Sequence, residues 1–136
     1  MTRDDILNMP AGYEINKLIA INVMGWALVN NHGAAGGKFW IGHGGSFGDI
    51  SERNLPDFSG EMYPAWTIIE RLQKAGWSFE LTGHADPQGD YIMHLWRRDS
   101  AGDEQFICRA DVAPLVICRA ALLAVMNLEY LQSEAE

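Results

Sequence analysis

Arg97, Arg98, Arg109 and Arg119 are the residues of this sequence best suited to holding an anion, and Arg119 is the most demanding of them. It stands in the apolar run Val112-Ala113-Pro114-Leu115-Val116-Ile117-Cys118-Arg119-Ala120-Ala121-Leu122-Leu123. A guanidinium stays charged under all ordinary conditions, so there it must meet a carboxylate, backbone carbonyls or an anionic ligand. A buried ion pair is the favoured reading. Arg97, Arg98 and Arg109 fall on neighbouring strand-like segments and add local positive charge. With Trp40, Phe47 and Trp96, and with the glycine-flanked His43, Gly44, Gly45 and Ser46, they could form an aromatic and cationic pocket for a nucleotide-like ligand. Arg109 precedes the apolar helix, whose dipole would favour the same anion, while Asp111 competes for that end as a cap.

Other chemistries fail on spacing. Gly36-Gly37-Lys38 is followed by Phe39, where a phosphate loop needs a hydroxyl, and it lacks the preceding glycine at the required distance. Gly42 to Gly48 misses the dinucleotide fingerprint and its strand-loop-helix setting. Gly44-Gly45-Ser46-Phe47-Gly48 matches the letters of a nucleophile elbow, yet it leads into polar residues rather than a helix. His32, His43, His84, His94 and Cys108 have no close zinc spacing. These mismatches predict a protein that is not an enzyme and holds no metal or cofactor.

Charge narrows the partners further. With 18 acidic against 10 basic residues the formal charge is −8, which disfavours a nucleic-acid polymer but leaves room for a small anion at a local arginine cluster. The 136 residues suit one domain, 1–136, at 48% hydrophobic and 21% charged composition. Cys108 and Cys118 read as reduced, buried thiols. The acidic start Met1-Thr2-Arg3-Asp4-Asp5 lacks the basic region of a signal peptide, and the apolar run is too short for a membrane span. A cytoplasmic protein without membrane contact is expected.

Periodicity supplies the scaffold that must position these residues. Thr2 or Asp4 can cap a short turn through Ile6-Leu7. Ile15, Leu18, Ile19, Val23 and Trp26 make one helical stripe; Ala65, Ile68, Ile69, Leu72 and Ala75 make a second, over about 61–74, stopped by Gly76. Trp77, Phe79 and Leu81 alternate as a strand, and strands over 91–97 and 104–110 follow turns at 86–90 and 99–103. Residues 30–48 hold seven of the fourteen glycines and read as a long loop. The last helix is apolar all round, so the fold must enclose it. The expected fold is α+β, with three main helices packed on a three-stranded antiparallel sheet and the C-terminal helix central.

Met9-Pro10-Ala11-Gly12, Val23-Met24-Gly25-Trp26, Phe58-Ser59 ahead of Ala65-Trp66-Thr67-Ile68-Ile69-Glu70-Arg71-Leu72, and above all Pro114-Leu115-Val116-Ile117-Cys118-Arg119-Ala120-Ala121-Leu122-Leu123 form a pattern. It resembles the phage alpha-beta-alpha sandwich domain family, over most of the chain outside residues 27–56. The resemblance implies a bacteriophage protein working in the bacterial host cytoplasm, and it carries no catalytic residues over. Two function classes follow. One is a binding protein that sequesters a nucleotide-like host signal against host defence. The other is an interaction module that presents Trp40 and Phe47 to a host or phage protein. The many apolar and aromatic residues in a small chain also suggest a homo-oligomer.

Overall fold

The computed structural model describes residues 1–30, 38–42, 50–85, 87, 89–99 and 102–128. Four helices and two three-stranded antiparallel sheets are formed by these residues. The first helix, α1 (Arg3–Leu7), begins at a reciprocal cap: Thr2 Oγ1 accepts from Asp5 N at 3.2 Å and the Asp5 carboxylate accepts from Thr2 N at 2.8 Å. Helix α2 (Tyr13–Asn22) starts at Gly12, whose φ of 145° a side chain would resist, and buries Ile15, Ile19 and Ala20.

Here the structure departs from the sequence reading. The stretch expected to be a long loop, 30–48, contributes strand β2 (Lys38–Ile41) and the last residue of β1 (Ala27–Asn30), and these pair with β3 (Ile50–Ser51) in the order β1-β2-β3. The architecture is therefore not three helices on one sheet. Each of these strands is four residues or fewer, too short for a period of two to register among the glycines.

Helix α3 (Met62–Lys74) buries Ala65, Ile68, Ile69 and Leu72, the expected stripe. It stops where Gly76 takes a φ of 95° and Trp77 N reaches back to Leu72 O at 3.0 Å. The meander β4 (Ser78–Gly83), β5 (Tyr91–Asp99) and β6 (Gly102–Ala110) follows, in the order β4-β5-β6. Its inner face carries Met93, Leu95, Phe106 and Cys108, all buried. Helix α4 (Ala113–Val125) lies on that face and also packs against α2 and α3, so it is central as the apolar wheel requires. From Leu115 to Ala124 every residue but Arg119 is buried. Val112 rather than Asp111 occupies the N-cap, and no side chain caps the helix. Pro114 sits in the first turn, where it forfeits no helical hydrogen bond.

Candidate functional site

The four arginines do not meet at one place: Arg97 and Arg98 line a cleft of about 600 Å³ together with Trp96 and His94, while Arg109 and Arg119 lie elsewhere. Arg97 donates to Glu104 Oε1 at 2.8 and 3.3 Å and lies over the Trp77 ring, 4.5 Å from its centroid. Arg98 donates to Asp103 at 3.1 Å. Arg109 pairs with Asp90 at the opposite end of the hairpin: Arg97 is in register with Glu104 and Ile92 with Arg109, a separation of roughly 17 Å along the strands. Hydrogen bonding from Arg109 holds the Asp90 carboxyl below the usual carboxylate range, and His84 Nδ1 stands 3.2 Å from its other oxygen.

Among the described residues Arg119 has no carboxylate partner. Its Nε and one terminal nitrogen donate to Met9 O at 3.2 and 2.8 Å, and the other terminal nitrogen donates to Arg109 O at 3.3 Å. The carbonyl of Met9 lies between α1 and α2, beyond the reach of helical donors, so it is open to this use. Of the three possible partners, carbonyls are the ones found, and the favoured ion pair is replaced by a tie from α4 to the α1–α2 link and the end of β6. Trp40, expected to face a ligand or a protein partner, is fully buried and donates from Nε1 to Glu52 O at 3.1 Å. Trp96 stands on the outer sheet face, away from the helices, beside His94. His43, Gly44, Gly45, Ser46 and Phe47 lie outside the described residues. Burial pushes the Cys108 thiol up to about 11 and the Cys118 thiol higher still, and both cysteines are free.

A second cleft, of similar volume, has more apolar and aromatic walls. Between α3, the α2–β1 link and residues 50–58 lies a cleft of about 600 Å³. Trp26, Phe58 and Tyr63 bring aromatic walls to it, and Pro56 and Pro64 add rigid apolar surface. The rings of Trp26 and Phe58 are 5.9 Å apart and tilted by 55°. Tyr63, Thr67 and Arg71 enter from α3 at spacings of four, which puts them on one helix face beside the core stripe. Gly42, at the end of β2, also lines it.

Arg71 is the cation of this cleft. Its Nε donates to Val23 O at 2.7 Å, satisfying a carbonyl at the C-terminal end of α2, where the dipole favours positive charge. Its terminal nitrogens pass over Gly25, where an added Cβ would stand 3.4 Å from one of them. Among the described residues no carboxylate lies within ion-pair distance of Arg71, so those nitrogens keep donors for a ligand.

The wall formed by Phe58 is held from behind. Asn16 Oδ1 accepts from Ser59 N at 2.9 Å and from Ser59 Oγ at 2.8 Å, while Asn16 Nδ2 donates to Asp57 at 3.1 Å. Gly12 N donates to Ser59 Oγ at 3.0 Å. Asn16 and Ser59 are the buried polar residues among those described, and their mutual bonds fix the linker before α3 to α2. The polar Asn16 inside an otherwise apolar stripe was the one visible sign of this network. Among the described residues no three His, Cys, Asp or Glu side chains converge on a possible metal site, and no helix is long and apolar enough to cross a membrane.

Fold and cleft define a small α+β sandwich in which the cleft beside α3 has apolar, aromatic walls and a cation, Arg71, among them. Residues 17–122 match the family model of the phage ABA sandwich domain, and the chain belongs to that family. No curated protein and no solved structure matches it.

Proposed function

We propose that the protein is a non-enzymatic binding protein that captures a small, planar, anionic molecule of nucleotide type in the cleft beside α3, and that it thereby sequesters a host signal during infection. The observation that carries this reading is Arg71: an arginine with unspent donors in the wall of an aromatic cavity of about 600 Å³. That volume lies within the usual range for small-molecule sites, and aromatic walls with one charged anchor suit a base and its phosphate. The phage family fits such a role in the host cytoplasm, where signalling nucleotides act.

Calorimetric titration of linear and cyclic nucleotides against the wild type, Arg71→Ala and Arg109→Ala tests the proposal. Arg71→Ala should weaken binding on the order of tenfold or more, the scale of a lost charge-assisted hydrogen bond. Arg109→Ala should bind as the wild type does. Because Arg71 also serves Val23, Thr67→Trp, which fills the cavity from an outer helix position, provides a second variant that should abolish binding. Absence of binding by the wild type to every nucleotide tried would overturn the reading.

A further inference from the structure

Tyr63 carries a large ring that the packing of the chain does not use. It is 82% exposed, and among the described residues its hydroxyl has no hydrogen-bond partner and its ring no aromatic neighbour. An exposed aromatic standing alone needs no explanation. Tyr63, however, lines the cleft beside α3, on the same helix face as Arg71 and two turns before it, about 12 Å along the axis at a rise of about 1.5 Å per residue. An unspent ring and an unspent cation therefore face one cavity from one helix, separated by about the length of an extended nucleoside monophosphate. Trp26 and Phe58, the other two rings of the cleft, are buried and offer a base little area.

The walls bring little that could read a base by its edge. Pro56 and Pro64 have no N–H to give. Phe58 N donates to Pro56 O at 2.9 Å and Trp26 N to Ala20 O at 2.8 Å, so both are spent. The hydroxyl of Thr67, between Tyr63 and Arg71 on α3, donates to Pro64 O at 2.6 Å. Among the described residues that line the cleft, Arg71 is the one that carries a charge. Stacking, in contrast, needs only a π-face, which every base has.

On the reading that this cleft is the nucleotide site, we infer that Tyr63 is the ring on which the base stacks while Arg71 takes a single phosphate. The cleft then selects for ring area and one anionic group, and not for the identity of the base. Its ligand class is the nucleoside monophosphates, purines ahead of pyrimidines because their rings are larger. A second or third phosphate meets no further cation among the described lining residues and faces a chain of net charge −8, so a triphosphate gains nothing over a monophosphate.

Calorimetric titration of adenosine, guanosine, cytidine and uridine 5′-monophosphates and of adenosine triphosphate against the wild type, Tyr63→Ala and Tyr63→Phe tests this. Tyr63→Ala should weaken all four monophosphates by roughly 5- to 150-fold, the range of stacking on one ring, with its thermal midpoint unchanged because the side chain is exposed. Tyr63→Phe, which restores the ring without the hydroxyl, should recover that loss. In the wild type the two purine monophosphates should bind within about tenfold of each other, since a site that read their edges by hydrogen bonds would separate them by orders of magnitude. Adenosine triphosphate should bind no tighter than the monophosphate. Unweakened binding by Tyr63→Ala, failure of Tyr63→Phe to recover it, a hundredfold preference between the two purines, or a clearly tighter triphosphate would each overturn the role of Tyr63 or the indifference to the base while leaving the cleft as the site. Absence of binding by every nucleotide would instead remove the proposed function, and the stacking role with it.

Discussion

Arg119 on α4 and Arg71 on α3 both reach out of a helix to backbone carbonyls, and the difference between them separates the two halves of the molecule. Arg119 spends all three nitrogens on Met9 and Arg109 carbonyls, inside a region where a helix is enclosed by sheet and helices alike. Among the described residues Arg71 spends only Nε, on Val23, and its remaining donors stand in the wall of an aromatic cleft. A saturated guanidinium fastens the fold. One with donors to spare in a cavity suits a ligand, so the same residue type serves structure on α4 and, in the proposed function, binding on α3.

The comparison breaks first if α4 is not the centre of the fold. Leu122 is fully buried there, and Leu122→Ala should cost about 2–5 kcal/mol, read as a fall in the denaturant midpoint. An unchanged midpoint would remove the enclosed helix from the account. A smaller effect belongs to the cleft side: Asn16→Ala strips Ser59 of its acceptor and should cost about 1–3 kcal/mol, while also loosening the Phe58 wall. Ligand affinity should then fall along with stability, whereas Leu122→Ala should lower stability and leave the affinity of the folded fraction alone.

What the sequence made legible follows the same division. The stripe Ala65, Ile68, Ile69 and Leu72, the alternation Trp77, Phe79 and Leu81, and the all-round apolar wheel from Leu115 are long and periodic, and all three became the elements they foretold. The β1-β2-β3 sheet did not declare itself, because strands of two to four residues carry no period, and Trp40 looked like a ligand platform although it is buried. The partners of the strand arginines were hidden for a related reason. Arg97, Arg98 and Arg109 have carboxylates opposite or near them across a hairpin, a pairing set by strand register that composition cannot convey. Arg71 was overlooked inside a convincing core helix. The spacing of Tyr63, Thr67 and Arg71 on the face beside the core stripe was readable, but it gains meaning only once Trp26 and Phe58 stand across from it.

Two weaker effects sharpen the contrast. In the enclosed half, Cys108, with its thiol raised to about 11, and Cys118, raised further by burial, should react with a thiol reagent near neutral pH only as fast as the fold opens. Rapid labelling of both in the native protein would contradict the packing around α4. The smallest effect concerns Asp90, whose folded value lies below its ordinary one. Its pairing with Arg109 then contributes stability above the usual carboxylate range, and the contribution is lost as the pH falls through the folded value. Asp90→Asn should therefore lower the thermal midpoint slightly at neutral pH and not at all in strong acid, and an equal shift at both would show that charge is not the cause.

The central claim, that the cleft beside α3 is the binding site and the strand arginines are not, is tested most directly by heteronuclear NMR on the five tryptophan indole N–H signals and the arginine side chains. Titration with a nucleotide that binds should shift Trp26 and Arg71 Nε–H and leave Trp96, Trp77 and Arg109 in place. Shifts at Trp96, Arg97 or Arg109, with Trp26 and Arg71 unmoved, would contradict it.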